Sequence, residues 1–225
     1  NEDYAQRADE EVVDYIQPYV INAFIELGIP RPMEHCAERQ NPVDFMLYND
    51  KTLSVKSNKA GQGKVAPQVI GQPTDETYFD EINEHLKFDI IVELENRGLK
   101  DNYESRSLIF KEISLNRIDE IINVYWEHLF SCDYLLYVYN VIKKNKLLNE
   151  PCFMVFNKSY VPPLWNPSKF SFTKNIDSWN ESNTLKYCNC SIGEFQVHKN
   201  RNCLKFRFNL DGIIKLLDNG IISYN

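Results

Sequence analysis

Asp44 and Lys56 bound the run DFMLYNDKTLSVK, and Ser54 stands two positions before the lysine. A carboxylate and an ammonium brought to one spot suit the hydrolysis of a phosphate ester. Magnesium takes oxygen ligands and is commonly held by only one or two carboxylates, with waters and a substrate phosphate completing its shell. A lysine beside it orients or activates the attacking water and offsets the charge that builds on the phosphorus oxygens. The ordinary alternative is a structural Asp–Lys pair on a solvent-facing hairpin, which contributes little.

Convergence of the two groups requires a hairpin, and the sequence predicts one. The apolar runs VDFML and TLSVK flank Asn49-Asp50, residues that favour turns. Side chains alternate along a strand, so Ser54 and Lys56 share a face and pairing brings Asp44 beside them. Residues 5–27 read as a helix with a stripe from Val12 to Ile25, bent at Pro18 and ended by Gly28 and Pro30. Residues 63–86 suggest a loop and a helix, broken near Gly71 and Pro73. The longest helical signal spans 115–148, with Ile118, Ile121, Ile122, Tyr125, Leu129, Leu135, Leu136, Val138 and Val141 as its core stripe. From about 152 to 210, short β-type runs (CFMVF, FSF, TLKYCNCSI, EFQVH, CLKFRFN) alternate with polar turns, and GIIKLL closes as a helix. The fold class expected is α/β (α+β), with a mixed sheet flanked by helices and a strand-rich C-terminal half.

The run Pro42-Val43-Asp44, the turn, and Ser54-Val55-Lys56 together resemble the PD-(D/E)XK signature of type II restriction endonucleases and related nucleases. The resemblance covers residues 31–74, about a fifth of the chain. It implies that Asp44 ligates Mg2+, that Lys56 positions the water, and that the core is restriction-endonuclease-like. Pro42 is displaced by one from the family spacing. Ser54 occupies the place where a second carboxylate is customary, and a serine is only a weak neutral ligand. Substitutes are the Val55 carbonyl, a water held by Ser54, or a carboxylate of the first helix, Glu10 or preferably Glu11. Glu34 and Glu38 are a second choice. Glu93 and Glu95, if FDIIV is another strand, are a third. The resemblance further implies site-specific cleavage of double-stranded DNA to 5′-phosphate and 3′-hydroxyl ends, by a monomer or a homodimer. Residues 1–150 would form the catalytic core and 151–225 a DNA-recognition part of the same compact unit.

Charge distribution permits a DNA partner despite a formal net charge of −7. Residues 1–50 hold eleven acids and three arginines, whereas 51–64 hold Lys51, Lys56, Lys59 and Lys64 and no acid. Lys59 and Lys64 would extend a basic edge beside the scissile phosphate, with Gln68 on a following helix. The stretch 186–207 repeats the bias, with Lys186, Lys199, Arg201, Lys205 and Arg207 against Glu194 alone. There Gln196, His198, Lys199, Asn200, Arg201 and Asn202 surround a turn between two strands. Those residue types read base edges and hold phosphates, and a two-stranded ribbon fits the major groove. The alternative is a plain polar hairpin.

Six cysteines in a chain that can bury a full core read as reduced thiols. Cys188, Cys190, His198 and Cys203 have zinc-ligand types without a standard zinc spacing. Trp165 and Trp179 read as core anchors. No apolar run approaches the roughly 18–20 residues that cross a bilayer, and no signal-peptide pattern opens the chain, so a cytoplasmic protein without a membrane partner is expected. Two rivals to site-specific cleavage are a repair or structure-specific nuclease on the same core and a catalytically inactive DNA-binding module.

Overall fold

The computed structural model describes residues 21–22, 24–36, 42–57, 64–65, 84, 86–139, 142–143, 146–147, 152–157, 163–198 and 203–223. The chain divides into two compact units, each made of two segments: residues 1–63 with 130–160, and 64–129 with 161–225. The architecture is mixed α+β, with a five-stranded sheet in each unit. The strand-rich stretch expected from about residue 152 therefore begins in one unit and continues in the other.

The first unit is built on the predicted hairpin. Strands β1 (Pro32–His35), β2 (Phe45–Leu47) and β3 (Lys51–Ser57) are antiparallel neighbours. Asn49 and Asp50 both take positive φ in the connection, the left-handed region that Asn and Asp tolerate best among residues with a Cβ. Strand β5 (Tyr134–Tyr139) lies parallel to β3, and β8 (Cys152–Asn157) closes the sheet antiparallel to β5.

Alternation gives the sheet two distinct faces. Leu47, Leu53, Leu136 and Val138 pack with Phe24 and Ile29, the residues that flank the end of the helical turn before Gly28. The opposite face carries Thr52, Ser54 and Lys56 from β3 and the buried Leu135 and Tyr137 from β5. Two short strands, β6 (Ile142–Lys143) and β7 (Lys146–Leu147), form a separate ribbon.

The second unit pairs β4 (Lys64–Val65), β12 (Cys203–Asn209), β11 (Cys190–His198), β10 (Ser182–Tyr187) and β9 (Phe170–Phe172) in that order. Its helices are α1 (Ile90–Asn96), α2 (Tyr103–Asn116), α3 (Ile118–Leu129) and α4 (Leu210–Asp218). Asp89, Asn102 and Asn209 cap α1, α2 and α4 by accepting from first-turn N–H groups. The core is aromatic: Tyr125 and Trp126 of α3 meet Phe195, Phe206 and Phe208 of the sheet, with Trp165 and Trp179 also buried. Gly212 lets α4 approach β11, because a Cβ there would stand 1.8 Å from the Ser191 carbonyl oxygen.

Two expected elements are corrected. The helical signal over 115–148 ends at Leu129, and Leu135, Leu136 and Val138 lie on strand β5. An apolar run does not distinguish a buried strand from a buried helix, and the Ser131-Cys132-Asp133 break with the aromatic YLLYVY composition decides for a strand. FDIIVELE is not a strand either, since Asp89 caps a helix over Ile90–Asn96 and Glu93 pairs with Arg97 at 2.6 Å. The helix expected over 5–27 and the loop and helix expected over 63–86 fall mostly outside the described residues.

Candidate active site

Strand β2 begins at Phe45, so the N–H of Val55, further along β3, has no β2 carbonyl opposite it. The Asp44 carboxylate takes that place. Its Oδ2 accepts from the Val55 N–H at 2.5 Å and from the Ser54 hydroxyl at 3.2 Å, and the Lys56 Nζ stands 3.9 Å away. Among the described residues all side-chain partners of Asp44 lie on Oδ2, which leaves Oδ1 for another ligand. The Asp44 and Lys56 side chains are both 13% exposed, so the pair is largely removed from water yet reachable.

Burial is the largest influence on Lys56 and pushes its ammonium below the ordinary lysine value, with the charge of Asp44 partly opposing it. A lysine so placed releases a proton more readily than a solvated one, a property useful in a group that serves a nucleophilic water.

A layer beneath the pair holds it in register. The Asp133 carboxylate accepts from the Thr52 N–H at 3.0 Å, the Thr52 hydroxyl at 2.9 Å and the Lys51 ammonium at 3.2 Å, while the Asp133 N–H donates to Thr52 Oγ1 at 2.9 Å. This clasp joins the start of β3 to the start of β5. Beside it the buried Cys132 thiol donates to the Pro42 carbonyl at 3.4 Å, tying down the turn that carries Asp44. Burial raises the Cys132 thiol above its usual value, so it stays protonated at neutral pH.

Sequence reasoning brought Asp44, Ser54, Val55 and Lys56 together, and the structure places them together. It missed Cys132, Asp133 and Tyr137, the last opposite Lys56 in the β3–β5 register. All three lie in the segment read as helix. Their signal was the polar break before YLLYVY.

The oxygen donors fit a magnesium ion in part. They comprise Asp44 Oδ1 and the Val55 carbonyl, which points to the same edge of β3 as the Val55 N–H. Among the described residues no three His, Cys, Asp or Glu side chains converge as a metal cluster. Of the acidic substitutes, Glu10, Glu11 and Glu38 lie outside the described residues. Glu34 is on exposed β1 opposite Met46, and the Cys36 N–H donates to the Asp44 carbonyl. By alternation Glu34 thus shares the Asp44 face, one diagonal position away. Ser54 is buried and donates to Asp44, so its hydroxyl orients the carboxylate.

Lys64 is on β4 in the second unit, ion-paired with Glu194, and does not extend the edge of the sheet that carries Lys56. Gln196 is on β11 and donates to Glu194 at 2.7 Å. His198 ends β11, opposite Cys203 at the start of β12. Lys59, Gln68, Lys199, Asn200, Arg201 and Asn202 lie outside the described residues. The Cys190 thiol donates to the Gly212 carbonyl at 3.5 Å, and Cys188 has positive φ in the β10–β11 turn. No helix among the described residues is long and apolar enough to cross a membrane.

Fold and site thus define an α+β protein that presents a carboxylate–lysine pair across adjacent strands of a mixed sheet. Comparison of sequences adds a relative. The chain is 31% identical over 175 residues to the type II restriction enzyme CviAII of Paramecium bursaria Chlorella virus 1, a match spanning 77% of this chain and 43% of that protein. The chain therefore spans less than half the length of that curated relative. No family profile matches the chain, and no solved structure matches it.

Proposed function

We propose that the protein is a type II restriction endonuclease of the PD-(D/E)XK kind, cutting double-stranded DNA with Mg2+. The observation that carries this reading is the meeting of Asp44 and Lys56 at 3.9 Å on one face of a hairpin, in a chain similar to a restriction enzyme. Asp44 Oδ1, the Val55 carbonyl and a carboxylate, Glu34 or Glu11, would hold the metal. When bound, the ion supplies Lewis-acid stabilisation of the phosphate charge and lowers the pKa of its water. Ser54 and the Val55 N–H fix the Asp44 carboxylate, and Lys56 holds the water that attacks phosphorus and stabilises the negative oxygens as the 3′-oxygen leaves. The ends produced are a 5′-phosphate and a 3′-hydroxyl.

The polar β11–β12 ribbon supports sequence reading. Gln196, His198, Lys199, Asn200, Arg201 and Asn202 supply base-edge and phosphate contacts there. The expected partner is duplex DNA, the expected location the cytoplasm.

Digestion of plasmid DNA with Mg2+, followed by end mapping, tests the reading. Wild type yields discrete bands, whereas Lys56→Ala cuts slower by about 10²–10³ with an unchanged far-UV spectrum. A smear in place of bands indicates a structure-specific nuclease. Undiminished cutting by Lys56→Ala shows that the chemistry lies elsewhere.

A further inference from the structure

The second sheet is two-faced in a way the hairpin alone does not convey. Val65, Phe172, Leu185, Tyr187, Phe195, Phe206 and Phe208 point to the aromatic core. By register and alternation the other face is polar on every strand: Lys64, then Lys205 and Arg207, then Glu194 and Gln196, then Thr184 and Lys186, then Ser171. Among the described residues four cations share this face with one acid, in a protein whose net charge is −7.

The cations do not converge as they would around a single phosphate. They are distributed over β4, β12 and β10. The five strands span about 19 Å, from inter-strand spacings of 4.7–4.9 Å, which exceeds the roughly 12 Å width of a major groove. A surface of that breadth fits an extended polyanion, touching phosphates on both sides of a groove.

Glu194 sits at the centre as a fixed counter-ion. It pairs with Lys64, accepts from Gln196, lies opposite Arg207 and is 14% exposed on its side chain. Burial would raise its carboxyl, but Lys64, Gln196 and Arg207 outweigh that and hold it below the usual range. A carboxylate that stays charged preorganises the long basic side chains around it, reducing the entropy they lose on binding.

We infer that this polar sheet face is the seat of duplex DNA, with Lys64, Lys186, Lys205 and Arg207 positioning the phosphate backbone around Glu194. The inference rests on the nuclease reading and extends it from the ribbon turn to the whole sheet. Binding of a labelled mixed-sequence duplex by the full chain, in EDTA to prevent cutting, tests it through fluorescence anisotropy at a series of salt concentrations. The slope of log affinity against log salt becomes shallower by about 1.8 in the double variant Lys205→Gln/Arg207→Gln, at about 0.9 per lost phosphate contact. The charge-matched control Lys87→Gln/Lys100→Gln, on exposed positions away from that sheet in the same unit, keeps the wild-type slope.

An unchanged slope in the face variant, an equal loss in the control, or tighter binding of duplex RNA than of DNA overturns the inference while leaving the nuclease reading standing. Failure of the wild-type chain to bind any duplex overturns both.

Discussion

At the scale of single residues, the site balances burial against pairing at Lys56. Desolvation lowers its proton affinity more than Asp44 restores it, so the ammonium costs stability. Below its folded-state pKa, Lys56 is protonated in both folded and unfolded chains and the full cost is present. Between that value and 10.5 the unfolded chain binds more protons, so this group makes stability rise with pH. Lys56→Met is therefore expected to be more resistant to urea than wild type at neutral pH, with the gap narrowing as pH approaches 10.5. Equilibrium unfolding at several pH values measures this. A variant that is weaker at neutral pH would show that the ion pair outweighs burial. The two ends of this motif were legible because strand alternation and a turn suffice to bring them together. Ser54 was legible as a position but not as a donor to Asp44, because that depends on where β2 stops.

At the scale of elements, the sheet depends on the clasp between β3 and β5. Asp133 is subject first to burial, which raises its carboxyl, but the Thr52 N–H and hydroxyl and Lys51 outweigh this and hold it below 3.8. A depressed carboxyl stabilises the fold above its unfolded pKa, and the contribution is lost as pH falls through the folded value. Asp133→Ala is expected to cost about 2–3 kcal/mol near neutrality by removing hydrogen bonds to a charged acceptor. That deficit relative to wild type fades as pH drops below about 4, a trend that urea midpoints at graded pH will reveal. The sequence could not disclose this parallel pairing, because β3 and β5 are joined by contacts as far as 82 residues apart and apolar periodicity is blind to such distance. Local patterns did disclose the β2–β3 hairpin, β8, β9, β12 and the final helix, where alternation and turn residues agree, but the run TLKYCNCSI folds back at Cys188-Asn189 and its CSI joins EFQVH in the single strand β11.

At the scale of the whole molecule, the three tryptophans all belong to the second unit: Trp126, Trp165 and Trp179. Tryptophan emission therefore reports that unit, whereas labelling of the buried Cys132 thiol, located by mass mapping, reports the first. Leu53→Ala removes a fully packed side chain from the first core, at a cost of about 2–5 kcal/mol. The denaturant at which Cys132 becomes reactive should fall while the emission midpoint stays in place. Equal shifts in both signals would show one cooperative block. The division was not visible in the sequence, since both units are discontinuous and no linker composition marks their boundaries. That discontinuity bears on synthesis. The hairpin with Asp44 and Lys56 leaves the ribosome before α1, α2, α3 and β5 have been translated, so the clasp to Asp133 and the full sheet around the pair form only after three helices of the other unit have been made.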